Sequence, residues 1–131
     1  MRYGFCALAT VLSVSWVLAF SVESSPQPAA HPPQTPKDGQ TVKVNPPSMI
    51  WRYDDRAASY ILEISHDPHF EGGSIRIEDI PNPFYNHSEA LNPGTWYWRY
   101  YVVTAEGDVS EPSAVKSFIV PDGIVQLPVP K

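Results

Sequence analysis

The sequence is poor in cysteine and in positive charge. Cys6 is the only cysteine, so no internal disulfide bond can form. Acidic residues outnumber basic ones by 14 to 9, which gives a formal net charge of -5. Nucleic acids and other polyanions are normally bound through basic patches, so this balance argues against both as ligands. Because the chain has a single cysteine, the fold must be stabilised by core packing without a covalent crosslink.

Helical periodicity is also missing beyond residue 23, since no later stretch places apolar residues at helical spacing. The chain does contain 43% hydrophobic and 12% aromatic residues, enough for a real core. Its 15 prolines, with glycine and asparagine, separate short apolar segments. Turn-forming residues between short apolar segments are typical of antiparallel β-sandwiches. We therefore predict an all-β immunoglobulin or fibronectin type III-like sandwich of about seven strands.

The first 23 residues predict a signal peptide. Arg2 provides a positive start, Phe5 to Phe20 are mostly apolar, and small residues follow. The run is short for a membrane-spanning helix, which needs roughly 20 apolar residues, although an uncleaved anchor is the alternative. Cleavage would remove Cys6. We expect a secreted or periplasmic protein that meets a membrane only through an uncleaved signal segment.

Three further segments follow the signal peptide. Residues 24–40 are rich in proline and predict an extended linker that buries nothing. Residues 41–121 predict the sandwich, and residues 122–131 predict an exit linker. Candidate strands lie at 41–44, 48–51, 60–65, 74–78, 84–85, within 91–104, and at 115–120.

The aromatic segment 91–104 organises the predicted sandwich. Pro93 and Gly94 predict a turn, and a run of aromatic and β-branched residues follows. Side chains alternate along a strand, and an unpaired buried Arg99 would be costly, so the even-numbered residues should face the core. We expect Trp51 and Trp98 at the centre, one from each sheet. The predicted core residues are Trp51, Tyr60, Leu62, Ile64, Trp96, Trp98 and Tyr100.

Several segments resemble fibronectin type III-like modules. Ser48 to Trp51 resembles their early tryptophan strand, and Leu91 to Thr95 resembles the turn before their sixth strand. Ser110 to Ser113, before the last hydrophobic strand, is also similar. The family usually has a tyrosine corner at the start of the sixth strand, a position that either Trp96 or Tyr97 would take here.

An ordered set of short motifs spans residues 40–121: Asn45-Pro46-Pro47-Ser48 with Trp51, Tyr60 to Ser65 with Asp67-Pro68 and Phe70, Glu78 to Pro81 with Phe84-Tyr85, Leu91 to Gly94 with Tyr97-Trp98-Arg99, and Ser110-Glu111 with Ser117-Phe118. Together these motifs resemble the N-terminal β-sandwich of bacterial heparinase II/III-type polysaccharide lyases. The resemblance implies a module that precedes a catalytic α/α-toroid domain. The lyase residues of that family lie in parts that this sequence does not match.

One aromatic set is a candidate contact surface. Tyr97 and Tyr101 should face outward, with Tyr53 and Tyr85 as further members. Such a set could pack across strands of its own sheet, dock onto a neighbouring domain, or contact a glycan.

Other residue groups are weaker candidates. His66 and His69, with Asp67 between them, have a spacing that could serve a metal ion, but no third and fourth ligand is evident, and a surface turn is the simpler interpretation. Phe70 is predicted to plug the core after that turn. Glu78, Asp79 and Glu89 could form an acid/base pair but are more typical of solvated strand ends. Asn86-His87-Ser88 is a glycosylation sequon only if the chain enters a eukaryotic secretory route.

No catalytic, cofactor or metal site is therefore predicted. We expect a non-catalytic accessory module of a secreted lyase that acts on uronate-containing polysaccharides. Its partner would be the toroid domain or the polysaccharide. The alternative is an independent fibronectin type III-like module that binds carbohydrate or protein.

Overall fold

The computed structural model describes residues 32–124. The predicted signal peptide, the first part of the linker at 24–31 and the segment 125–131 lie outside the described residues. Within 32–124 the chain forms seven strands and no helix, which confirms the all-β prediction. The strands are β1 (Gln40–Thr41), β2 (Ser48–Ile50), β3 (Ser59–Ser65), β4 (Ile75–Ile80), β5 (Phe84–Asn86), β6 (Gly94–Val103) and β7 (Lys116–Val120).

The strands form two sheets. Five of them pair in the order β1-β7-β6-β3-β4, and β2 pairs with β5 in the second sheet. All pairings are antiparallel except that of β1 with β7, which is parallel. The longest strand, β6, lies at the centre of the larger sheet, between β3 and β7.

The hydrophobic core lies between the two sheets. Trp51 follows β2 and is fully buried, and Trp98 of β6 is 1% exposed. Trp51 stacks on Tyr100, with ring centroids 5.6 Å apart, and meets Tyr60 edge-on at the same distance. The remaining core side chains include Met49, Leu62, Ile64, Trp96, Val102, Phe118 and Val120.

The even-numbered side chains of β6 thus face the core, and its odd-numbered side chains lie on the opposite side of the sheet. Trp96 also anchors the turn before β6, because its indole N–H donates to the Asn92 carbonyl at 2.8 Å. Of the two adjacent aromatic residues at the start of β6, Trp96 is therefore the one that bonds to the backbone just upstream.

A β-bulge interrupts the pairing of β4 with β3. Tyr60 lies opposite Ile80, whereas Leu62 lies opposite Ile77, so β4 contains one extra residue between these pairs. Asp79 adopts the left-handed backbone region here, with φ of 56°. The extra residue lets both Ile77 and Ile80 pack on the core, although their odd spacing would put them on opposite faces of a regular strand.

The folded domain begins earlier than residue 41, so the predicted linker boundary needs correction. Thr35 forms a β-bridge with Ile50, and Pro36 is fully buried. Asp38 accepts hydrogen bonds from both the backbone N–H and the hydroxyl of Ser117. Residues 35–40 are therefore part of the sandwich, because their backbone groups find partners on β2 and β7.

Candidate functional site

The outer face of the five-stranded sheet carries the main polar cluster of the described residues. We define this outer face by six side chains that point away from the core: Ile61, Glu63, Arg76, Tyr97, Arg99 and Tyr101. Strand register brings the charged members together, since Glu63 on β3 lies opposite Arg76 on β4 and Arg99 on β6. Directly opposed side chains in antiparallel strands are close enough to pair.

Glu63 is the centre of this cluster and is only 7% exposed. Its Oε1 accepts from Arg76 Nη1 at 2.7 Å, and its Oε2 accepts from Arg99 Nε at 2.6 Å. The Tyr101 hydroxyl donates to the same Oε2 at 3.1 Å. The carboxylate is thus satisfied by three donors from two neighbouring strands, which is the condition for keeping a charge at a buried position.

The titration behaviour follows from these contacts. Burial alone would raise the pKa of Glu63, but hydrogen bonds from Arg99 and Arg76 outweigh it, and the pKa is lowered. Burial raises the pKa of Tyr101, and the adjacent Glu63 carboxylate raises it further. At neutral pH the cluster therefore holds an ionised carboxylate and a protonated phenol, so Tyr101 is not poised as a base.

The cluster is covered by aromatic rings. The Arg99 guanidinium lies 4.1 Å from the centroid of the Phe70 ring, and both Arg76 and Arg99 lie within 5.6 Å of the Tyr101 ring centroid. Such cation–π contacts fix the arginines in place. The prediction that Phe70 plugs the core is wrong: its ring lies against Arg99 on the outer face, and its backbone is left-handed, with φ of 58°.

The loop between β3 and β4 is held by Asp67. Its carboxylate accepts backbone N–H groups of His69, Glu71 and Gly72 at 2.8–2.9 Å. The bonds from His69 and Gly72 are the main reason that the pKa of Asp67 is lowered. The carboxylate therefore shapes the loop that carries Phe70.

His66 and His69 do not converge with Asp67 on a common point. His66 Nδ1 donates to the Thr95 carbonyl at 2.8 Å, and its ring lies against Trp96 with centroids 3.6 Å apart. Across residues 32–124 no group of three or more His, Cys, Asp or Glu side chains is placed to hold a metal ion.

The four candidate contact tyrosines fall into three places. Tyr97 and Tyr101 share the outer face, where Tyr101 bonds to Glu63 and Tyr97 is half-buried with no side-chain hydrogen bond to another described residue. Tyr85 lies on β5 in the other sheet and packs against the core. Tyr53 follows β2 and is 56% exposed. The structure therefore brings together two of the four.

The carboxylate and sequon candidates are also dispersed. Glu78 pairs with Arg76 at 2.8 Å, whereas Asp79 lies in the bulge of β4 and Glu89 is exposed after β5. Asn86 is exposed at the end of β5. Glu78 is thus tied to the outer-face cluster through Arg76 rather than to a second carboxylate.

The chemistry of the outer face is that of a rigid, charge-balanced surface. Arg76 and Arg99 supply two positive charges and Glu63 supplies one negative charge, while Glu78, which flanks the face and pairs with Arg76, supplies a second negative charge. An anionic ligand would have to compete with carboxylates that are already paired. The surface is therefore better suited to contact with protein than to capture of a polyanion.

Sequence reasoning did not find Glu63, Arg76 or Phe70 as members of this cluster. Side-chain alternation with Leu62 and Ile64 places Glu63 on the outward side of β3, but its burial depends on the register with two other strands. The available signal was the presence of Arg99 and Glu63 on outward positions of two strong strands. That signal identifies a pair only when the strands are known to be neighbours.

Comparison with known proteins gives no family assignment. The chain matches no protein-family model, and no curated protein matches it. Among residues 32–124 there is no helix long and apolar enough to cross a membrane.

Proposed function

We propose that this chain is a non-catalytic accessory module of a secreted polysaccharide lyase of the heparinase II/III type. The observation that carries the proposal is the outer face, a half-buried tyrosine and arginine surface whose charges are already paired. Tyrosine and arginine are enriched at protein interfaces, and a preorganised surface loses little side-chain entropy on docking. The partner would be a catalytic α/α-toroid domain that acts on uronate-containing polysaccharides.

We also propose that the sandwich is of the immunoglobulin or fibronectin type III kind. The order of strands supports this, because β7, β6, β3 and β4 lie side by side while β2 and β5 form the opposite layer. This is the arrangement expected when hairpins are distributed between two sheets by Greek-key connections. The bond from the Trp96 indole to the Asn92 carbonyl, which resembles that of a tyrosine corner, is further support.

The docking test uses the full chain and a heparinase II/III-type toroid domain prepared without its own N-terminal sandwich. Isothermal titration calorimetry should detect a complex. Tyr97→Ala should weaken binding about tenfold, because it removes a half-buried aromatic from the outer face. Tyr53→Ala is the matched control, since Tyr53 is more exposed and lies elsewhere. Equal loss of affinity in both variants, or no complex at all, would contradict docking through this face.

The catalytic test uses the full chain alone. Unsaturated uronate product should not accumulate on heparin, heparan sulfate, alginate or hyaluronan when absorbance is followed in the ultraviolet. A lyase must stabilise a carbanion-like intermediate beside a base, and the candidate bases on the outer face are a carboxylate that is already paired with Arg76 and Arg99 and a phenol that is protonated at neutral pH. Turnover on any of these polymers would contradict the accessory role.

A further inference from the structure

A second surface feature lies beside the connection between β4 and β5. Strands β4 and β5 follow each other in the chain but belong to different sheets. The gap between them is a cleft of about 420 Å³. Its lining is formed mainly by Ile77, Glu78, Asp79, Asn82, Phe84 and Asn86. A cleft of this size accommodates one or two sugar rings.

An exposed aromatic ring flanks the cleft. Phe84 is 52% exposed, although a phenylalanine gains free energy from burial. The neighbouring Ile77 and Tyr85 are half-buried and pack on the core, so the floor of the cleft belongs to the rigid part of the sandwich. Phe84 therefore presents a flat apolar face above a fixed surface.

The polar groups around Phe84 are carboxylates and amides. Glu78 uses Oε1 to bind Arg76, and the side chains of Asp79, Asn82 and Asn86 form no hydrogen bond with any other described residue. No lysine or arginine lines the cleft. These groups can accept and donate hydrogen bonds to hydroxyls, while the Asp79 carboxylate, which no described arginine or lysine pairs, repels an anionic ligand.

The edge of β4 is unsuited to pairing with an incoming strand. The bulge at Asp79 distorts its backbone, and Pro81 and Pro83 lack the N–H groups that a strand ladder uses. Bulges, charges and prolines are the features that keep edge strands from adding further chains. An extended peptide therefore fits the cleft less well than a ligand recognised by hydroxyls and an apolar ring face.

We propose that this cleft binds uncharged pyranose residues of a polysaccharide, with Phe84 stacking on the sugar ring and Asp79, Asn82 and Asn86 bonding its hydroxyls. The site is separate from Tyr97 and does not depend on the docking proposed for the outer face. The choice of an uncharged sugar follows from the acidic lining. In a polymer with alternating charged and uncharged residues, the cleft would engage the uncharged ones.

The test is calorimetric titration of the full chain with tetrasaccharides of three kinds. The probes are an uncharged N-acetylglucosamine tetramer, an uncharged glucose tetramer and an anionic galacturonate tetramer. At least one uncharged tetramer should bind, and the galacturonate tetramer should bind at least tenfold more weakly. Phe84→Ala should weaken binding about tenfold, whereas Phe84→Tyr should retain it because the ring is kept.

Val109→Ala is the matched control, since Val109 is an equally exposed apolar side chain, at 52%, outside the cleft. Unfolding midpoints of all variants show whether a loss of binding reflects a loss of fold. The proposal is overturned if neither uncharged tetramer binds, if galacturonate binds more tightly, or if folded Phe84→Ala binds as the parent does. Binding of an alternating lysine–valine peptide in place of the sugars would also overturn it. None of these outcomes affects the toroid-docking test.

Discussion

Asn45 shows how much a single side chain contributes to this fold. It is 2% exposed, and its amide bonds both backbone groups of Leu91: Nδ2 donates to the carbonyl at 2.7 Å, and Oδ1 accepts from the N–H at 2.9 Å. The Asn45 side chain therefore satisfies the backbone of Leu91, which lies outside the seven strands, in the way that a neighbouring strand would. It thereby fastens the segment before β2 to the turn that leads into β6.

Replacing Asn45 with alanine should lower the free energy of unfolding by about 2–4 kcal/mol, because two buried backbone groups of Leu91 lose their partners. Asn45→Asp should also destabilise, since a carboxylate cannot donate to the Leu91 carbonyl. Guanidinium denaturation measures both changes. Asn92→Ala is the control, because the Asn92 side chain is exposed. A midpoint for Asn45→Ala equal to that of Asn92→Ala would contradict this role.

Trp98 is the second residue-scale test. Its indole N–H, like that of Trp51, has no acceptor among the described residues, although the side chain is buried. Trp98→Ala should cost about 3–5 kcal/mol through the cavity that it leaves. Trp98→Phe should cost clearly less, because it keeps most of the apolar volume and removes an unsatisfied donor. Equal unfolding midpoints for the alanine variant and the parent would show that Trp98 does not occupy the core.

At the scale of elements, strands β3 and β6 were the most predictable. Their long alternating or aromatic runs fix both the strand and the face that it buries, as with Leu62 and Trp98. Strand β1 was less predictable, because its two residues are held by a parallel partner distant in sequence. The Glu63 cluster and the position of Phe70 depend on register and on one left-handed residue, so they follow from tertiary structure rather than from local pattern.

The loop between β3 and β4 provides an element-scale prediction. Asp67→Ala should speed amide hydrogen exchange at His69, Glu71 and Gly72 at least tenfold, because the carboxylate that accepts their N–H groups is gone. Exchange in β6 should change little. Glu106→Ala in an exposed turn is the control. Unchanged exchange at the three amides would show that Asp67 does not hold the loop.

For the whole molecule, carboxyl groups determine how the free energy of unfolding changes as the pH falls. The pKa values of Glu63 and Asp67 are lowered in the folded state, and a hydrogen bond from Arg56 lowers the pKa of Asp54 to about 2. The unfolded chain therefore binds more protons than the folded one in mild acid. The stability that these groups contribute is complete above the ordinary carboxyl pKa of about 4 and is lost as the pH falls through the lower folded values.

Thermal unfolding should accordingly show a Tm that is nearly constant from about pH 7 to pH 5 and falls steadily below that. Glu63→Gln should have a lower Tm at pH 7, since Arg76 and Arg99 lose their shared carboxylate, and a shallower decline in acid. Glu89→Gln is the control, because Glu89 is exposed. The same acid slope in Glu63→Gln and in the parent would show that Glu63 does not titrate with a lowered pKa.

The parallel pairing of β1 with β7 also determines how the domain would bear a mechanical load. Because the two strands run in the same direction, the polypeptide enters beside the start of β7 and leaves β7 at the opposite end of the sheet. A pull on the two ends would slide β1 along β7. The bonds from Gly39 N to Ser117 O and from Val42 N to Ile119 O would then stretch together instead of opening one after another. Such shear geometry should make the sandwich resist a pull applied at β1 and β7 more strongly than a geometry in which the same bonds open one at a time.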